Sequence, residues 1–265
     1  MHKTLSPLDL AFLKVALSRT IFGRNIVYEE VVDSTNELAK ELAQGGAVHG
    51  TLVICEDQRA GRGRKGRRWL SAPYKNLLFS VLLRPSLEAK DGFWLTGAMA
   101  VSASEAIWAT TGIKAQIKWP NDIYLSGKKA GGILTEVLTQ DHMIRWAVVG
   151  VGLNVNWAPS KEFICISEKS GLPLDRGVLL VELLGRYHKY LKKLGHHNEE
   201  IMEKYETRSL LRGKEVVIRE GKGRGAEIVR GEALGIDSDG GLLVKGQRGE
   251  LKKIIYGDVT VLRWQ

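Results

Sequence analysis

A chain of 265 residues, 44% hydrophobic and 26% charged, can bury a sizeable core without disulfide or metal staples and is too apolar for a disordered chain. Its two cysteines, Cys55 and Cys165, form no CxxC pair and lack histidines at ligand spacing, which argues against a zinc site or disulfide framework and for a reducing, cytoplasmic setting. The net charge of +9 favours an acidic partner, which could be nucleic acid, a phosphate-bearing ligand or an acidic protein.

Residues 1–27 are expected to form a short helical extension. The apolar stretch 8–17 is interrupted by Asp9 and Lys14 and lacks a small-residue cleavage site, and the later run 146–153 is too short to cross a bilayer. Ser34 followed three residues later by Glu37 predicts a capping box, Leu38 and Leu42 repeat at helical spacing, and Gly45-Gly46 supplies a stop. A helix over 34–44 follows, with Ser34, Thr35 and Asn36 exposed at its start. Residues 51–54 and 77–83 read as apolar strands enclosing a loop at 59–68. Residues 93–110 form a helix ended by Gly112, and a strand at 115–119 runs into Pro120-Asn121-Asp122. The turn Ser126-Gly127-Lys128 joins 123–125 to 132–137, a strand follows at 146–151, and 179–194 reads as an amphipathic helix. From about Arg212 the texture changes to short strands at 215–218, 226–236, 242–244, 251–255 and 259–262, the pattern of a small β-barrel. A boundary near Leu211 divides the chain into domains at 28–210 and 211–265.

Three segments carry chemistry. Gly61-Arg62-Gly63-Arg64-Lys65-Gly66-Arg67-Arg68-Trp69 packs five cations and three glycines into nine residues. Like charges at that density repel one another, and glycines let a backbone approach a ligand, so a mobile loop that orders around an anion is expected. The segment matches neither a Walker A loop nor a dinucleotide-binding GxGxxG turn, and composition alone also fits a solvated basic loop or a nucleic-acid patch. Next, Lys118-Trp119-Pro120-Asn121-Asp122 ends a strand with an aspartate able to pair with a lysine or magnesium. Lys129 follows seven residues later beside Gly131 and Gly132, as a point charge suited to phosphate or carboxylate oxygens, though a lysine-solubilised hairpin turn explains it equally. Last, Gly150-Val151-Gly152-Leu153-Asn154 offers a side-chain-free strand face on which a ring could lie, with Asn154 nearby; a glycine bulge is the simpler reading of this piece alone.

Taken in order, Asp33-Ser34-Thr35-Asn36, the run from Glu56 through Gln58 to Arg64, Lys118 to Asp122, Lys129 to Leu134, and Gly150 to Asn154 closely resemble the catalytic domain of the biotin–protein ligases, over roughly residues 28–265. The resemblance implies an α+β fold, a mixed β-sheet backed by helices with a small C-terminal SH3-like β-barrel. It implies ATP-dependent biotinylation of a lysine on a biotin carboxyl carrier domain through biotinyl-5′-AMP, with biotin and ATP as substrates and Mg2+ as the accompanying ion. Carried over residue by residue, Ser34, Thr35, Asn36, Gln58, Arg62, Gly63, Arg64 and Lys129 would bind biotin. Arg62, Arg64, Lys118, Asn121 and Asn154 would bind ATP or the adenylate, Lys129, Arg64 and Asp122 would act in catalysis, and Asp122 would hold magnesium. Some members use an N-terminal winged-helix domain to repress genes; here thirty-three residues precede Ser34, so no repressor role, DNA partner or membrane partner is expected, with homodimerisation left open. Lipoate–protein ligases and octanoyl transferases share the superfamily fold, but the arginine-glycine loop and the KWPND run favour biotin.

Overall fold

The computed structural model describes residues 6–195, 198–220 and 227–262. The first helix, α1 (Leu10–Ala16), is capped by Asp9, whose carboxylate accepts from the Phe12 amide at 3.0 Å. Leu13 and Leu17 have no exposed surface, so this helical segment packs into the core. A strand that periodicity did not reveal, β1 (Ile26–Val32), follows. Its polar, partly exposed pattern reflects its place at the edge of the sheet. It pairs in parallel with β2 (Thr51–Gln58), and α2 (Thr35–Gln44) is the crossover between them.

The remaining strands are antiparallel additions: β3 (Leu77–Leu83), β4 (Gln116–Lys118), β5 (Asp122–Leu125), β6 (Lys128–Gln140) and β7 (Met143–Leu153), in the sheet order β1-β2-β3-β7-β6-β5-β4. Alternation along β2 explains how both faces are covered. Leu52 and Ile54 join the large core, whereas Val53 packs with Ala39 and Ala43 of α2, Leu82, Trp146 and Val148 in a second cluster. The large core is roofed by α3 (Phe93–Thr111), α5 (Arg176–Leu191) and α6 (Asn198–Glu206), with a short α4 (Ile166–Ser170) between β7 and α5. Gly97, Ala98, Ala100 and Ala103 let α3 sit buried on nearly every side, and Gly112 ends it in the left-handed conformation at φ 70°. No described helix is long and apolar enough to cross a membrane.

One buried ion pair ties distant segments together. Arg176 at the start of α5 lies 2.5 Å from Glu56 of β2 and donates to the carbonyls of Asn76 and Ser6, while Glu56 also accepts from the Leu8 amide and the Tyr28 hydroxyl.

The C-terminal region is a five-stranded antiparallel sheet of β8 (Glu215–Glu220), β9 (Glu227–Ile236), β10 (Leu242–Lys245), β11 (Leu251–Ile254) and β12 (Asp258–Val261), ordered β11-β10-β9-β8-β12. Ala226, the expected start of β9, lies outside the described residues. The fold is therefore α+β, a mixed sheet layered with helices and a small antiparallel β-domain. The two sheets meet through indoles: Trp94 Nε1 donates to the Ser238 carbonyl at 2.8 Å, and Trp119 Nε1 to that of Gly240 at 2.9 Å. Gly240 has φ +79°, and a Cβ there would fall 1.8 Å from the Phe93 ring, so both backbone and packing require glycine.

Candidate active site

The ends of β1, β2, β4 and β6, the 59–68 loop and the start of β12 enclose a cleft of about 420 Å³. Ser34, Thr35, Asn36, Gln58, Arg62, Gly63, Arg64, Lys118, Asn121, Asp122, Lys129 and Asn154 all line it. Residues spread over more than a hundred positions of sequence thus converge on one space.

The floor corrects the expected helix start. Ser34, Thr35 and Asn36 are buried, not exposed, because β3 and β7 pass directly beneath them. Nor does a capping box form: the Ser34 side chain caps nothing, and Gln58 Oε1 accepts instead from the Thr35 amide at 2.8 Å. Ser80, the one polar residue of β3, places its hydroxyl 2.7 Å from Asn36 Oδ1 and 2.8 Å from Thr35 Oγ1. The Asn36 amide group donates to the Leu134 carbonyl and to Glu136, so its polar atoms are engaged by protein. Gly150 and Gly152 do present a side-chain-free face, but protein fills it. A Cβ on Gly150 would sit 1.8 Å from Asn36 Oδ1, and one on Gly152 would sit 2.5 Å from the Trp69 indole. Trp69 Nε1 is buried without a hydrogen-bond partner, and the Lys129 ammonium lies 5.8 Å from the ring centre.

The arginine-glycine loop is folded across the cleft with three of its five cations on carboxylates. Arg62 lies 2.6 Å from Glu37, while Arg67 and Lys65 lie 2.6 and 3.2 Å from Asp258 of the C-terminal sheet. Arg64 donates to Asn121 Oδ1 at 3.1 Å and to the Gly257 carbonyl. Burial pulls the Arg64 pKa down, with Asp122 and Asp258 opposing it. Lys65 reaches the turn in left-handed backbone at φ 58°, a conformation that flanking Gly66 continues.

At the far wall Asp122 Oδ1 lies 2.7 Å from Lys129 Nζ across the β5–β6 pair. Asn121 is fixed by donating to the Ile133 carbonyl at 2.6 Å. Burial lowers the Lys118 pKa, and burial together with Asp122 pushes Tyr124 up to about 12. Asn154 is 1% exposed, with its amide group toward the Ile164 carbonyl, so it borders the cleft mainly as a buried strut. The cleft thus combines a hydroxyl- and amide-lined floor with a cationic rim, an arrangement that can hold a polar ring at one end and phosphate at the other.

The chain that carries this cleft is similar to several known proteins. Residues 28–154 match the model of the biotin/lipoate A/B protein ligase family, and residues 213–262 that of the biotin protein ligase C terminal domain. The bifunctional ligase/repressor BirA of Bacillus spizizenii is 35% identical over 258 residues, covering 94% of this chain and 78% of that protein. The biotin–[acetyl-CoA-carboxylase] ligase of Mycobacterium tuberculosis is 30% identical over 238 residues, covering 87% of this chain and 86% of that one. The biotin protein ligase from Aquifex aeolicus, solved in complex with biotin and ATP, superimposes with a TM-score of 0.77 at 33% identity, over 91% of this chain and 100% of that one. The chain belongs to the biotin protein ligase family.

For this family member, sequence reasoning left Ser80, Trp69, Glu136 and Asp258 out of the site. Ser80 had a signal, a lone hydroxyl in an apolar strand, and Trp69 ended the cationic run; Glu136 and Asp258 had none, because only the fold brings them to Asn36 and to the loop. Asp122, the residue expected to hold magnesium, faces a lysine across the hairpin. Its carboxylate is neutralised by Lys129, and no group of three or more potential ligands occurs among the described residues.

Proposed function

We propose that this chain activates biotin with MgATP and transfers it to a lysine of a biotin carboxyl carrier domain. The observation that carries this reading is the convergence of the 34–36 floor, the arginine-glycine loop and the Lys129–Asp122 pair on one cleft, in a chain 33% identical to a ligase solved with biotin and ATP. Biotin's carboxylate is a poor acyl donor, so its oxygen attacks the α-phosphorus of MgATP, the bond to pyrophosphate breaks, and the mixed anhydride biotinyl-5′-AMP results. The uncharged amine of the carrier lysine then attacks the acyl carbon, loses a proton to solvent, and expels AMP with the bonding electron pair. Both steps concentrate negative charge on phosphate oxygens, which Arg64 and Lys129 are placed to stabilise. In this reading Ser34, Thr35, Gln58 and the backbone about Gly63 hold the ring end, Asn36 shapes the floor, and Lys118, Asn121 and Asn154 border the nucleotide. Arg62 and Arg64 keep the loop over the anhydride and away from water.

The test is exchange of labelled pyrophosphate into ATP with biotin, lipoate or octanoate, followed by transfer to a carrier domain read on a streptavidin blot. Exchange with biotin alone, and labelling of the carrier, is the expected result. Exchange with lipoate alone would move the chain to the sister activity, and no exchange with any acid would overturn the reading.

A further inference from the structure

Glu37, free of the capping role that its position suggested, begins a chain of polar contacts running from the loop to the floor of the cleft. Arg62 Nη1 donates to Glu37 Oε1 at 2.6 Å. Lys40 Nζ donates to that same oxygen at 2.8 Å and to Glu136 Oε1 at 2.9 Å. The other oxygen of Glu136 accepts from Asn36 Nδ2 at 2.8 Å, and Asn36 Oδ1 accepts from Ser80. From Ser80 the contacts pass to Thr35, whose hydroxyl lies 2.8 Å from Ser80 Oγ and whose backbone amide donates to Gln58 Oε1 at 2.8 Å.

We propose that Glu136 is a positioning residue for the biotin end of the cleft, dividing its two oxygens between the loop, through Lys40 and Glu37, and the floor, through Asn36. The inference rests on the biotin ligase reading above and names the residue that links ligand capture to loop closure. Glu136 does not itself line the cleft, so it acts through Asn36. The Asn36 carboxamide can face only one way: its amide group meets a carboxylate and a carbonyl, its oxygen meets a hydroxyl, and Gly150 leaves room for that oxygen. Lys40 holds the other half. Burial opposes its charge, but hydrogen bonds to Glu37 and Glu136 outweigh that and raise its pKa, so it bridges the two carboxylates as an ammonium at any working pH. Arg62 itself is 56% exposed, but a shift of it with the loop passes to the floor through Glu37, Lys40 and Glu136, which are 21% to 33% exposed and screened less than surface charges.

Glu136→Gln breaks this chain whichever way its amide turns, because the new NH2 group must face either the Lys40 ammonium or the Asn36 amide, donor to donor. In biotin-dependent pyrophosphate exchange, Glu136→Gln and Lys40→Met should each raise the KM for biotin about tenfold with kcat within about twofold. The double variant should be no worse than the worse single one, since both cut the same chain. Trypsin supplies a readout that needs no substrate. With six cations between Arg59 and Arg68, the loop of the ligand-free protein should be cut faster in Glu136→Gln than in wild type, at an unchanged thermal midpoint. A biotin KM at the wild-type value, additive effects of the two substitutions, or loop cleavage at the wild-type rate would each overturn the proposal. Absence of biotin-dependent exchange in the wild-type protein would instead overturn the functional reading, and the tryptic comparison would still decide whether loop and floor are coupled.

Discussion

Two positions show how much of the site is decided by single side chains. Lys129 stands between Asp122 and the Trp69 ring, a compact charge whose partner fixes its direction. Lys129→Ala should depress adenylate formation by about two to four orders of magnitude, as one well-placed cation contributes about 3 to 5 kcal/mol to such a transition state. Single-turnover formation of labelled adenylate measures this directly, and near-normal rates would remove Lys129 from the chemistry. Gly152 matters for the opposite reason, through what it lacks. The Trp69 indole occupies the space where a Cβ would be, 2.5 Å from the nearest ring atom, so Gly152→Ala must displace the ring into the cleft. The expected outcome is weakened biotin binding by calorimetry in a protein whose unfolding is little changed.

At the scale of elements, the loop at 59–68 is the part whose geometry sequence described least. Arg64 joins it to Asn121 on one wall and to the Gly257 carbonyl on another. Arg64→Gly should therefore release biotinyl-5′-AMP into solution and label bystander proteins, and retention of the adenylate as tightly as in wild type would count against a shielding role. The glycine and arginine content by itself fitted a loop that orders around an anion, a solvated basic loop or a nucleic-acid patch. It could not say that Glu37 and Asp258 would receive those charges, since the second lies nearly two hundred residues downstream. Regular elements were legible wherever periodicity was strong: β3 runs over its predicted residues 77–83, and α3 ends at Gly112 as its glycine required. Sequence missed β1, whose consecutive glutamates hide a strand that needs only one neighbour, and it misplaced the exposure of Ser34 to Asn36. Helix-start chemistry and a buried ligand floor use the same small polar residues, and only the strands beneath distinguish them.

For the molecule as a whole, stability rests on contacts between parts far apart in sequence. The Arg176–Glu56 pair is 4% and 1% exposed and gathers the N-terminal segment, β1, β2 and α5 around one charge pair. Arg176→Met should cost about 3 to 5 kcal/mol, because it strands a buried carboxylate. Urea unfolding should show the midpoint falling with an unchanged slope, and a loss below about 1 kcal/mol would mean that water reaches Glu56. The C-terminal sheet is bound just as closely, with Trp119 of the wall donating to Gly240 and Asp258 holding the loop.

The ion pairs of the cleft also bear on a hazard that any enzyme making an acyl anhydride must meet, which is its own amines. Lys129 borders the cleft and is paired with Asp122, while Lys65 of the loop is paired with Asp258. A lysine side chain tied to Asp258 or Asp122 is held in one direction by that contact and is not free to swing toward an acyl carbon. Under the proposed reaction, those carboxylates would leave the lysine of a carrier domain as the more accessible amine.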